Sequence, residues 1–167
     1  MNIFASSDCP VESAQNLPTI LVTKMITELA QILSTAHFVL DGKQVGYKPT
    51  HRNHPNCVWT RESSENYRWA YNHYKALCEE YTFRTGKVHK SSELSEQLFS
   101  APTNIKTGCL TAFAMAMPDD LKLKGLTDPT KAYKLYLNRK FNDWRTRTDK
   151  RQIIACWGVR GKPNWID

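Results

Sequence analysis

The chain has 167 residues, of which 41% are apolar and 23% charged, and a formal net charge of +7. That length and composition specify one globular domain large enough to bury its own core, and exclude disordered and collagen-like classes. No apolar run reaches the roughly 20 residues needed to cross a bilayer and no basic leader precedes an apolar stretch, so neither a membrane span nor a secretory signal is expected.

In chain order, Pro10 to Asn16 reads as a short helix with Asp8 or Cys9 near its cap. Pro18 suits a first helical position, and Leu21, Val22, Met25, Ile26, Leu29, Ile32 and Leu33 recur at helical spacing, predicting a helix to about Ala36. Residues 41–56 hold Gly, Pro, Asn and His without periodicity and read as a loop. Ser63 or Ser64 then caps a helix through about Arg84, ended by Gly86, with Tyr67, Ala70, Tyr71, Tyr74, Leu77, Cys78 and Tyr81 on its inner face.

A short helix near Ser92–Phe99 precedes a Pro/Gly/Thr-rich connection through Pro118, where Asp119 and Asp120 read as loop or cap. Asp128-Pro129 starts a helix to about Arg147, with Lys131, Lys134, Asn138 and Arg145 on a polar stripe opposite Tyr133, Leu137 and Trp144. Strand signals are limited to Asn2–Ala5 and Ile153–Trp157. The expected fold is all-α: one compact helical domain over residues 1–167, with a basic C-terminal helix and an irregular tail.

The charge is one-sided. Residues 121–167 carry twelve Lys and Arg, Lys122 and Lys124 among them, against four Asp, and so hold the whole positive excess. Such a field concentrates polyanions, and phosphate contacts gain from counterion release. Tyr133, Tyr136, Phe141, Trp144, Trp157 and Trp165 are interleaved with it and offer faces for unstacked bases, or fill the core. Cys9, Cys57, Cys78, Cys109 and Cys156 are an odd, scattered set without a CxxC pair, which points to free thiols in a reducing compartment, the cytoplasm.

Two constellations can carry chemistry. Lys24 and Glu28 are neighbours on one helix face, and Glu28 is a solitary acid in a largely apolar helix, suited to general acid/base work; Lys24 is an ion-pair partner or an amine nucleophile. The alternative for the pair is an ordinary surface salt bridge. His51, Asn53, His54 and Cys57, with His73, are either a partial metal-ligand set lacking a spaced fourth member or a rigid hydrogen-bonding loop. The run Tyr67, Trp69, Tyr71, Tyr74, Tyr81, Phe83 is mostly core at helical spacing. No metal and no cofactor is expected.

The stretches TKMITELAQILSTAH, YKPTHRNHPNCVW and RESSENYRWAYNHYKALCEEYTFRTGKVH resemble a phage and bacterial family of small helical proteins, itself similar to the pyrimidine-dimer DNA glycosylases of the bacteriophage endonuclease V type. The resemblance implies an all-α fold whose N-terminus inserts among the helices. The α-amino group attacks C1′ of a damaged nucleotide to form a Schiff base, and a helix-borne Glu assists base loss and strand cleavage by β-elimination. Placed here, the carboxylate is Glu28 and the amine belongs to Met1, or to Asn2 if the initiator is removed. Lys162 to Trp165 is similar to the family's DNA-contacting tail. The chain departs from the characterised glycosylase at Leu21, Thr27 and Gln31, where that enzyme has His, Arg and Arg, and it lacks the N-terminal Thr.

The sequence therefore predicts a DNA glycosylase with AP lyase activity on damaged or modified double-stranded DNA. Met1, Asn2, Lys24 and Glu28 are its catalytic set, and Gln31, His51, Arg52, His54, Lys131, Lys134, Arg145, Lys162 and Trp165 face DNA. A monomer is expected, in the cytoplasm of the host if the protein is phage-encoded. Two alternatives stand beside it: a non-catalytic phage nucleic-acid-binding or host-interaction protein on the same scaffold, and a metal-dependent nuclease using His51, His54 and Cys57.

Overall fold

The two long helices expected from the sequence pack against each other at the centre of the molecule. The computed structural model describes residues 1–122 and 127–167, with side chains for all of these but 121 and 122. Lys124 of the basic segment and the side chain of Lys122 therefore lie outside the described residues. Helix α1 spans Pro10–Gln15, α2 Thr19–Asp41, α3 Pro55–Glu62 and α4 Ser64–Thr85. A 3₁₀ turn over Lys90–Leu94 leads into α5, Ser95–Phe99, followed after an irregular crossing by α6, Asp119–Lys122, and α7, Pro129–Thr146. Among the described residues there is no strand.

Helix α2 buries Leu21, Val22, Met25, Ile26, Leu29, Ile32 and Leu33, the predicted apolar face, against α4 and α3. It begins with Pro18 as the capping residue and runs to Asp41, past the expected end at Ala36, because no breaker intervenes before Gly42 (φ 66°). Helix α4 starts where Ser63 Oγ accepts from the Asn66 N–H at 3.2 Å and stops at Gly86 (φ 68°), as its caps predict. Asp128 caps α7 by accepting from the Thr130 and Lys131 N–H groups, again as expected.

The predicted loop 41–56 is overtaken at its end by α3, which the sequence reading missed. Its start is a Pro at the first helical position, with His54 Nδ1 accepting from the Asn56 N–H at 3.2 Å. Histidine is outside the usual capping set, so His-Pro read as loop punctuation.

The two expected strands are irregular because their backbone groups find other partners. Asn2 Oδ1 accepts from the Ile3 and Phe4 N–H groups at 2.8 and 2.9 Å, curling the leading segment on itself. The Ile153 N–H donates to the Trp144 carbonyl at the end of α7, and the Cys156 carbonyl accepts from the Thr19 N–H at the start of α2.

The tail is fastened to the core where α2 begins and along α4. Trp157 Nε1–H donates to the Asn16 carbonyl at 2.9 Å, and Arg160 grips Glu80 of α4 with two bonds of 2.8 and 2.9 Å. Arg84 adds a third bond to Glu80 and two to the Leu17 and Gln15 carbonyls. Burial pushes the Glu80 carboxyl up, but the two guanidiniums outweigh it and hold it below its usual range. The crossing segment 100–118 brings Phe113 against both Trp59 and Trp69, at ring-centroid distances of 5.4 and 4.7 Å, while the two indoles meet edge-on at 5.9 Å. All five cysteines are unpaired, and no described helix is long and apolar enough to cross a membrane.

Candidate active site

The leading segment is threaded into the core. Asn2 through Ser6 are buried, and the Met1 side chain is only 4% exposed, lying against Cys57 Sγ of α3 at 3.8 Å. Asn2 Nδ2 donates to the Ala116 carbonyl at 2.7 Å, and Phe4 adopts a left-handed φ of 43° that bends the chain. His73 of α4, wholly buried, places Nε2 2.9 Å from the Ile3 carbonyl and Nδ1 2.9 Å from the Pro10 carbonyl. Burial drives its pKa down to about 4 against the pull of both carbonyls. A neutral ring donates from one nitrogen only, so the other faces a carbonyl oxygen without a proton.

This folding delivers the first amino group to α2. The Met1 nitrogen lies 3.9 Å from Glu28 Oε2, the Asn2 N–H donates to the same oxygen at 3.0 Å, and Lys24 Nζ stands 3.4 Å from Oε1. Glu28 is 16% exposed and Lys24 67%, so the carboxylate sits inside and the ammonium at the rim. They line a cleft of about 310 Å³ whose walls include Phe4 and Leu21 and, from α7, Tyr136, Lys140 and Trp144. Phe4 stacks on Tyr136 at 5.8 Å. A primary amine facing a carboxylate across such a space has the parts for imine chemistry: the amine adds to an electrophilic carbon, and the carboxylate moves protons. Met1, Glu28, Lys24 and Asn2, named from the sequence, are thus brought together. Asn2 contributes a backbone N–H already bonded to Glu28 and turns its side chain away.

Tyr136 and Trp144, read from the sequence only as base-stacking or core rings, join the cleft with Lys140, which the sequence did not place there. Tyr136, Lys140 and Trp144 follow one another at four-residue spacing, a stripe on α7 visible in the sequence but obscured by grouping Trp144 with Tyr133 and Leu137. The structure buries Tyr133 and Leu137 and leaves Trp144 half-buried at the cleft.

The loop residues divide. His51 is exposed at a left-handed φ of 47°, with Nδ1 bonded to Thr50 Oγ1. Arg52 lies over the Phe38 ring at 4.6 Å. His54 is half-buried and its pKa is lowered by burial, then by the neighbouring Met1 ammonium and His51, with Glu28 opposing. Cys57 points at Met1, and burial pushes its thiol up to about 11. Among the described residues no three His, Cys, Asp or Glu side chains come together to hold a metal ion, so His51, His54 and Cys57 do not form the ligand set that their order offered. Gln31 sits half-buried one turn beyond Glu28, outside the cleft lining.

The remaining predicted DNA-facing residues lie around α7 and the tail, apart from the cleft. Lys131 is exposed and pairs with Asp128 at 3.8 Å, and Lys134 lies over the Trp165 ring at 5.6 Å. Arg145 and Lys162 line a second cavity of about 330 Å³ floored by Phe141, Trp157 and Ile166.

The Met1 amine, Lys24 and the Glu28 carboxylate thus meet in one aromatic-walled cleft of a helical domain. The chain belongs to the pyrimidine dimer DNA glycosylase family, whose sequence profile matches residues 1–94, the segment from the leading residue through the 3₁₀ turn. Membership places it among DNA-repair glycosylases, with DNA as the substrate class, and the single helical domain is consistent with an endonuclease V-like fold. Comparison with curated proteins and with solved structures gave no significant match.

Proposed function

We propose that the protein is a DNA glycosylase with AP lyase activity on a damaged or modified base, using the Met1 α-amino group as nucleophile and Glu28 as proton shuttle. The observation that carries this reading is the 3.9 Å approach of the Met1 nitrogen to Glu28 Oε2 within an open cleft. Nitrogen bonds to C1′ as the bond from C1′ to the base breaks, and the base leaves with a proton. Ring opening moves the nitrogen lone pair into a C=N bond. Loss of a C2′ proton then expels the 3′ phosphate, and water releases the sugar from the amine.

An α-amino group is intrinsically less basic than a lysine, so a larger share is free for attack at neutral pH. A distorted lesion lowers the cost of extruding a nucleotide to meet it. The 121–167 segment supplies the nucleic-acid-binding part through Lys131, Lys134, Arg145, Lys162 and Trp165, with His51, Arg52, His54 and Gln31 on the other flank.

Borohydride trapping on abasic duplex DNA tests the reading. A covalent adduct mapped to the first residue is expected. No adduct, under conditions where a control lyase gives one, leaves a DNA-binding protein without this chemistry.

A further inference from the structure

Of the α7 cations without an ion-pair partner among the described residues, Lys134, Lys140 and Arg145, only Lys140 lines the Met1–Glu28 cleft. Lys131 pairs with Asp128, and Arg139 with Asp120 and Asp143, whereas Lys140 has no carboxylate within ion-pair distance among the described residues. Its ammonium lies instead over the faces of Tyr136 and Trp144, at 5.7 and 5.2 Å, and the three together line the Met1–Glu28 cleft. The side chain is half-buried, and its pKa is lowered by burial and then by Lys24, with Glu28 and Asp143 opposing.

The cleft thus holds three cationic groups, the Met1 amine, Lys24 and Lys140, against one carboxylate, Glu28. A charge withdrawn from water without a counter-ion is costly, and an incoming anion removes that cost. In a DNA strand the anion nearest any C1′ is a backbone phosphodiester, and a lysine held by aromatic faces meets it as a point charge.

We propose that Lys140, facing Lys24 across the cleft, seats one backbone phosphodiester next to the reacting sugar, as a positioning residue that sets C1′ against the Met1 amine. The inference rests on the glycosylase reading of this cleft and extends it to a residue outside the family-matched segment.

The test uses the full chain and duplexes carrying one abasic site, with each flanking phosphate replaced in turn by an uncharged methylphosphonate. For Lys140→Met, the slope of log affinity against log salt is expected to fall by about 1. Its borohydride-trapping rate at saturating DNA is expected to drop roughly ten- to hundredfold. Lys140→Arg recovers most of the slope. One methylphosphonate position is expected to weaken the wild type but not Lys140→Met, a coupling that a merely structural role does not produce. A wild type indifferent to every flanking methylphosphonate overturns the proposal without needing any variant to fold. So does a folded Lys140→Met with the wild-type slope and profile. If the wild type forms no adduct yet the slope and the coupling differ as expected, the phosphate seat stands and the Schiff-base reading falls.

Discussion

The backbone N–H of Asn2 donates to Glu28 Oε2 at 3.0 Å, tying the leading segment to α2 through the carboxylate that faces the first amine. Glu28→Gln keeps an acceptor oxygen for that bond but removes the charge and the proton-shuttling capacity. Strand cleavage at an abasic site is expected to fall by about 10²–10⁴-fold. Stability, followed by thermal melting, should change by no more than about 1 kcal/mol. Intact cleavage accompanied by a large stability loss assigns Glu28 to structure alone.

A second prediction concerns the amine itself. One uncleaved residue added before Met1, or acetylation of its nitrogen, replaces a nucleophilic amine with an amide. Trapping should disappear while affinity for DNA stays within about threefold, because the basic residues that dominate affinity are untouched. Full cleavage by an extended chain moves the nucleophile elsewhere, with Lys24 the next amine to examine.

The Glu80–Arg84–Arg160 cluster predicts a strong, pH-dependent contribution to stability. Glu80 and Arg84 side chains are 4% and 1% exposed and Arg160 33%, so Glu80→Gln strands one buried guanidinium and loosens a second at the surface, and is expected to cost roughly 3–5 kcal/mol. Arg160→Ala leaves the inner pair intact and should cost about 1–2 kcal/mol, with earlier proteolysis of the tail. Glu80 is held below the usual glutamate range, so the wild-type contribution is full above that range and is lost as pH falls through the folded value. Urea midpoints measured between pH 7 and pH 3 check both the size and the sign.

His73 predicts a separate loss at milder acidity. Its folded pKa is near 4, whereas an unfolded imidazole takes a proton near pH 6.5. Between those values the unfolded chain binds more protons, so stability is full above about pH 6.5 and falls as pH drops toward 4. Burial lowers His37, His54 and His89 in the same direction. His73→Asn should flatten the dependence by up to about 1.4 kcal/mol per pH unit, read from urea titrations at pH 7.5, 6 and 5. An unchanged slope shows that the ring does not stay neutral in the core.

The basic face predicts additive, sequence-independent effects on binding. Lys134→Gln and Arg145→Gln should each lower the salt slope by about 1 and weaken undamaged and damaged duplexes alike. Arg145 bonds to Asn142 and Lys134 lies over Trp165, and neither makes an ion pair with an acid among the described residues, so little stability is at stake. Unchanged affinity in both variants moves the footprint off α7.

The parts of this fold legible in the sequence are those with strong local chemistry. Asp128-Pro129, Ser63 and Gly86 set helix ends through caps that work in isolation, and the α2 periodicity needs only its own residues. Helix α3 escaped because its cap is a histidine and its opening proline also fits a loop. The strands expected at Asn2–Ala5 and Ile153–Trp157 failed for a tertiary reason: their polar groups bond to Asn2's own side chain, to His73, to Trp144 and to Thr19. At the cleft, Lys24 and Glu28 share a helix and could be paired by spacing. The Tyr136–Lys140–Trp144 wall comes from α7, over a hundred positions later, and local pattern alone does not reveal which face of α7 meets the N-terminus.

Phe113, in ring contact with both Trp59 and Trp69, comes from beyond the family-matched stretch and completes a ring cluster inside it. A gene fragment stopping at residue 94 would leave those two indoles bare, along with the groove that Tyr133 fills, and should yield insoluble material on expression. Recombinant work on residues 1–94 therefore has to carry residues 95–167 with them, and any exchange of the later segment means redesigning the aromatic seam as one unit.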